Sequence, residues 1–163
     1  MSSIAEAVGD FLAQKTIAVA GVSRDGDLPA NLIFKKLRDA GYEVFPVYPR
    51  AQEVEGTICF PDLDSVPAEI QGLVIATPPA ATDSLVEDCI RLGIPRVWMH
   101  RSFGEGSVSR QAIRRCQESG IAVIPGACPM MYVKPVDFGH RCIRWVLKVG
   151  GKLPEPRGFS LHS

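Results

Sequence analysis

A chain of 163 residues and 17.7 kDa, 46% hydrophobic and 22% charged, has the balance of one ordinary domain and excludes a disordered polypeptide. A chain of this length buries roughly 70% of the surface that its unfolded state exposes, enough for a real core. Lys+Arg and Asp+Glu both number 18, so no net positive field exists to hold a nucleic acid non-specifically or to lie on anionic lipid.

In chain order, Ile4, Val8, Phe11 and Leu12 fit a short leading helix. Thr16–Gly21 is a compact apolar run and reads as a buried strand. Leu32, Ile33, Lys36 and Leu37 then carry a helical stripe that stops at Gly41. Tyr42–Tyr48 is a second strand, closed by Pro49, and Thr57–Phe60 adds a short one before Pro61. Leu73–Thr77 is the next strand, shut off by Pro78 and Pro79. Leu85, Val86, Cys89, Ile90 and Leu92 mark a helix ended by Gly93, and Arg96–His100 a further strand. Val108, Ala112, Ile113 and Cys116 make another helical face ended by Gly120, before the strand Ile121–Pro125. Phe138, Cys142, Trp145 and Val149 fit a closing helix. Residues 1–150 are thus expected to form one domain, and 151–163, rich in Gly and Pro, a loose tail.

Strands that alternate with amphipathic helices pair in parallel through right-handed crossovers. These strands are continuously apolar, as strands covered on both faces must be. The fold class expected is α/β: a Rossmann-like, doubly wound, mainly parallel sheet with helices on both faces.

The five cysteines are odd in number, widely spaced and without a C-x-x-C pair, which argues against a disulfide framework and a structural zinc site. The N-terminus has no basic residue before Lys15, and no apolar run approaches the length of a membrane span. A cytoplasmic protein is the expectation.

Ligands of open α/β sheets sit beyond the carboxyl ends of the strands, where strand order reverses. After the first strand stands Gly21-Val22-Ser23-Arg24-Asp25-Gly26, a G-x-S-x-x-G variant of the dinucleotide turn. Gly21 permits a tight turn, and Ser23 offers a hydroxyl to a phosphate beside the backbone N–H groups of the loop. An ordinary strand-to-helix turn would look the same. After the second strand, where an NAD site wants a carboxylate, the chain has Tyr48-Pro49-Arg50. A guanidinium suits a phosphorylated ribose, as in NADP or coenzyme A, unless Arg50 is simply a solvated loop residue. Thr77-Pro78-Pro79 makes a rigid apolar wall for an adenine face or a pantetheine arm, or merely a stiff turn.

The run Val-Ala-Gly-Val-Ser-Arg, Asn31, Gly-Tyr-Glu-Val-Phe-Pro-Val-Tyr-Pro-Arg, Ala-Thr-Pro-Pro, Val97-Trp98-Met99 and Cys128-Pro129 resembles the small single-domain CoA-binding proteins. These are similar to the N-terminal CoA-binding domain of the succinyl-CoA synthetase α subunit. The resemblance covers roughly residues 12–135, with its motifs in order. It implies coenzyme A, or an acyl-CoA, across the strand ends. Gly21, Val22, Ser23 and the neighbouring Arg24 would hold phosphates, Pro49 and Arg50 would sit at the ADP portion, and Thr77, Pro78 and Pro79 would line the nucleotide and pantetheine path. Asn31 matches the family's polar residue at the start of the first helix, and Trp98, Met99 and Cys128 complete the residues carried to the ligand. The chain departs from the family in Ala30-Asn31, commonly Gly-Asn, and in Val47-Tyr48-Pro49, commonly Val-Asn-Pro.

The synthetase's further domains and phosphorylated histidine have no counterpart here, since His100, His140 and His162 match no such motif. No nucleophile elbow, phosphate loop ending in Gly-Lys-Ser, metal motif or paired carboxylates stand out, so neither a catalytic residue nor a metal is expected. Cys128 is either a small apolar filler or a thiol able to meet the CoA thiol. The expectation is a binding protein, a sensor, carrier or regulator, with a homodimer or a protein partner in reach. The alternatives are an NADP-dependent oxidoreductase and a subunit of an acyl-CoA ligase active only with a second chain.

Overall fold

The computed structural model describes residues 3–24, 26–101 and 106–133. The expected closing helix, the tail 151–163, His140 and His162 lie outside the described residues.

The chain opens with α1 (Ile4–Leu12), whose start is fixed by a capping box: Ser3 Oγ accepts from the Glu6 N–H, and Glu6 Oε2 accepts from the Ser3 N–H. Then follow β1 (Thr16–Ala20), α2 (Pro29–Asp39), β2 (Glu43–Val47), the small strands β3 (Glu53–Val54) and β4 (Thr57–Ile58), and β5 (Gly72–Ile75). The remaining elements are α3 (Pro79–Leu92), β6 (Arg96–Met99), α4 (Arg110–Glu118), β7 (Ala122–Pro125) and a 3-10 turn, Pro129–Met131.

Five strands form one parallel sheet in the order β2-β1-β5-β6-β7. From β1 the sheet grows first towards β2 and then, from β5 onward, in the opposite direction. Right-handed crossovers therefore put α2 on one face and α3 and α4 on the other. Alternation along the strands supplies both faces. Ile17, Val19, Val74, Trp98 and Ile124 pack with α1 and α2, whereas Ala18, Ala20, Leu73, Ile75, Val97 and Met99 pack with α3 and α4. The doubly wound α/β reading of the sequence is the fold observed.

Local details differ from the reading of the sequence for packing reasons. In α2 the buried face is Ala30, Asn31, Ile33, Phe34 and Leu37, spaced three and four apart, which turns Leu32 outward. The helix α3 begins at Pro79, well before its apolar stripe, because proline presets the dihedral of a first helical position. Pro78 and Pro79 thus end one element and start the next. The short strand expected at 57–60 is half of an antiparallel hairpin with β3, and Phe60 pairs instead with Val47 at the sheet edge. Among the described residues no helix is long and apolar enough to cross a membrane.

The α1 side of the core centres on Trp98, fully buried, with Phe11 edge-on to its ring at 5.4 Å and Tyr132 tilted against it at 5.7 Å. Phe11 reaches this position only because residue 72 lacks a side chain: a Cβ there would stand 2.7 Å from Phe11 Cε2. The Gly72→Ala variant is therefore expected to lose about 1–3 kcal/mol by overpacking. Urea unfolding measures this, and an unchanged midpoint and slope would contradict the packing described.

Candidate functional site

The reversal of strand order lies between β1 and β5, and the segments leaving these strands and β2 meet there. Gly21 leaves β1 with φ 104, and its N–H donates to the Val47 carbonyl at 2.9 Å. A Cβ on Gly21 would run into the Ala76 carbonyl at the exit of β5. Glycine is demanded twice, by its dihedral and by the closeness of two backbones. Val22, fully buried, anchors the turn in the core.

Ser23 follows, 7% exposed, with its backbone held by one side chain. Asn31 Oδ1 accepts from the Ser23 N–H at 3.1 Å, and Asn31 Nδ2 donates to the Ser23 carbonyl at 2.6 Å. Asn31 is itself fully buried in the first turn of α2, so it shapes the turn from behind. Two of the backbone N–H groups expected to face a phosphate, those of Gly21 and Ser23, are thus taken up inside the protein.

Positive charge comes from side chains. Arg24 donates to the Arg50 carbonyl at 3.2 Å, joining the turn after β1 to the one after β2. Arg24 and Arg50 line a cleft of about 410 Å³ together with Gln52 and Glu53. Both guanidinium groups belong to exposed residues, and neither makes an ion pair with a carboxylate among the described residues. Pro49, exposed beside them, stiffens the approach. Two helices start at this end of the sheet without a side-chain cap or an acidic residue in the first turn, α2 after Leu28 and α3 after Pro78. Their positive ends reinforce the arginines.

On the β5 side, Thr77 is half-buried, Pro78 exposed and Pro79 partly exposed. Ser107, nearly fully buried, holds this segment in place. Its Oγ donates to the Thr77 carbonyl at 2.6 Å, its N–H donates to the His100 carbonyl at 2.8 Å, and its own carbonyl accepts from Thr82 Oγ1 at 2.7 Å. Nothing in the sequence marked Ser107 for this role.

Trp98, Met99 and Cys128 are not exposed in the crevice. Trp98 and Met99 are fully buried, on opposite faces of the sheet. The Trp98 indole N–H donates to the Gly126 carbonyl at 2.9 Å and the Ala127 carbonyl at 3.3 Å. It thereby holds a left-handed turn, with φ 131 at Gly126 and 65 at Ala127. Cys128, next in the chain, is 2% exposed. Thiol exchange requires access, which this burial denies. Burial also pushes the thiols of Cys59 and Cys89 up, and that of Cys116 up to about 11, so none of the three is a ready thiolate.

Two further polar residues border the turn. Glu55 Oε1 accepts from Asn31 Nδ2 at 2.9 Å, and Lys35 Nζ stands 3.5 Å from the Gly26 carbonyl and 3.7 Å from Glu55 Oε2. The only trace of this in the sequence is Glu55-Gly56, a two-residue link between short apolar segments.

The profile of a family described as CoA binding domain matches residues 15–134. The chain is 27% identical over 114 residues to the uncharacterized protein YneT of Bacillus subtilis, covering 70% of this chain and 82% of that protein. A solved structure of a hypothetical protein from Pyrococcus horikoshii superimposes with a TM-score of 0.71 at 30% identity, covering 77% of this chain and 87% of that one. An ADP-forming acetate–CoA ligase of Archaeoglobus fulgidus is 29% identical over 87 residues, which are 52% of this chain and 13% of the ligase.

Replacing Asn31 by Asp exchanges two donors for a buried carboxylate facing the Ser23 carbonyl and Glu55. The expected loss is about 3 kcal/mol or more at neutral pH. Such an acid has a folded-state pKa raised above its unfolded value, so the deficit should shrink as pH falls. Urea unfolding at pH 7 and pH 5 checks this, and a deficit that is absent or independent of pH would contradict the placement of Asn31.

Proposed function

The chain belongs to the CoA-binding domain family, and from this premise we propose that it binds coenzyme A or an acyl-CoA as a sensor, carrier or regulatory protein. The observation that carries the reading is the cleft that Arg24 and Arg50 line with Gln52 and Glu53: two guanidinium groups, without an ion pair among the described residues, joined across the loops after β1 and β2 beside the strand-order reversal. The residues present fit such a ligand. Gly21 lets the ends of β1 and β5 close on each other without a side chain between them, and the arginines and two uncapped helix starts supply charge for phosphates.

In this reading Arg50 and Arg24 hold the phosphates of the ADP portion, and Val22 and Ser23 support them through the shape of the turn. Thr77, Pro78 and Pro79 form the wall along which the nucleotide and pantetheine lie. Trp98, Met99 and Cys128 act from below, as the floor that keeps the strand ends in register. Bound CoA supplies a thiol that carries acyl groups as thioesters. The chain's own residues bind and orient it, and the buried, protonated thiols of Cys89 and Cys116 take no part.

A second reading is favoured by the likeness to the ADP-forming acetate–CoA ligase, of which the chain spans 13%. Here the protein presents its CoA to a partner chain that holds the remaining machinery.

Reversing the charge of Arg50 distinguishes the phosphate groups. The Arg50→Glu variant is expected to weaken CoA by about 2 kcal/mol or more, through a lost charge-assisted bond and new repulsion. Dephospho-CoA should lose less if the contact is to the ribose phosphate. Equal losses for both ligands in calorimetry would move Arg50 to the pyrophosphate, and no loss for either would remove it from the site.

A further inference from the structure

Glu55 and Gly56 form the link between β3 and β4, with φ 48 and 73. Two left-handed central residues are the mark of a tight hairpin turn that glycine and asparagine enter freely and glutamate does not. Glu55 accepts this conformation and makes bonds that no glycine could make. Its Oε1 takes the Asn31 Nδ2 proton at 2.9 Å, its Oε2 faces Lys35 Nζ at 3.7 Å, and a Cβ built on Gly26 would stand 3.3 Å from Oε1. The backbone carbonyl of Glu55 also accepts from Arg38 at 2.8 Å, which seats the hairpin on α2.

The fully buried carboxamide of Asn31 has two N–H groups. One goes to the Ser23 carbonyl at 2.6 Å, and the other has Glu55. Without that acceptor the second N–H is buried with nothing to bond, and the carboxamide is no longer fixed against Ser23. Strain kept at a residue because its side chain does something is a pointer to a role.

We propose that Glu55 is the positioning residue of the turn after β1. Through Asn31 it fixes the backbone of Ser23, and through Lys35 it braces Gly26, so the β3–β4 hairpin belongs to the binding apparatus although its strands are not part of the main sheet. The consequence for affinity rests on the reading of the turn as a CoA phosphate site.

Two variants separate positioning from mere stability. Glu55→Gly relieves the left-handed strain while removing the acceptor, and Glu55→Gln keeps an acceptor oxygen without the charge. Amide hydrogen exchange is followed on the ligand-free proteins, and the same samples are titrated with CoA. In Glu55→Gly the Ser23 amide should exchange about ten-fold faster or more, with Ile17 and Val74 unchanged, and CoA should bind about ten-fold more weakly. Glu55→Gln should restore both to within about three-fold of the parent. Unchanged Ser23 exchange, equal acceleration at Ile17 and Val74, or undiminished CoA affinity in Glu55→Gly would overturn the proposal. Should the parent protein take no CoA, the ligand reading fails by itself. The exchange at Ser23 then decides the positioning role alone, faster in Glu55→Gly supporting it and unchanged refuting it.

Discussion

Where β1 and β5 end, their backbones come so close that a side chain at Gly21 would strike the Ala76 carbonyl, while the Gly21 N–H reaches across to the Val47 carbonyl of β2. Three strand ends are joined at that glycine, at the point where the order of the sheet reverses. The turn from Val22 to Ser23 follows, with Val22 buried in the core and Asn31 holding Ser23 from α2. The rest of the ledge is held by equally short bonds from buried side chains: Ser107 under Thr77, and Trp98 under Gly126 and Ala127. A ligand meeting this edge finds it already ordered, which lowers the cost of binding.

The electrostatics are local. With 18 basic and 18 acidic residues the chain as a whole attracts no anion. Some of its acidic and basic side chains pair elsewhere, as in Arg91 with Asp64 and Asp88, Arg96 with Asp10, and Arg115 with Glu87 and Glu118. Such exposed pairs contribute little to stability. Arg24 and Arg50 make no such pair among the described residues, and they stand together on the neighbouring loops after β1 and β2. That placement suits a ligand recognised through several phosphates.

The fold was legible because strands covered on both faces must be apolar throughout, and runs such as Ile17–Ala20 and Leu73–Ile75 can be little else. The turn at Gly21 and the charge at Arg50 were legible because both leave marks at fixed offsets from a strand. The direction in which a side chain faces leaves no such mark. Asn31 reads as a polar residue at a helix start, yet it is buried and bonded backwards to Ser23. Trp98 stands in a motif shared with CoA-binding proteins, yet its ring fills the core. Glu55 showed only as part of a turn, because the partner of its side chain lies 24 residues away and on another element. Only the packing of the hairpin on α2 brings the two together.

Parallel calorimetric titrations with CoA, dephospho-CoA, NADP and NAD test the central claim, that two arginines at a glycine-bound strand reversal select a nucleotide with a phosphorylated ribose and a pantetheine arm. CoA should bind with the greatest affinity, dephospho-CoA more weakly, and NADP and NAD weakly or not at all. Tight binding of NADP in preference to CoA, or silence from all four, would contradict it.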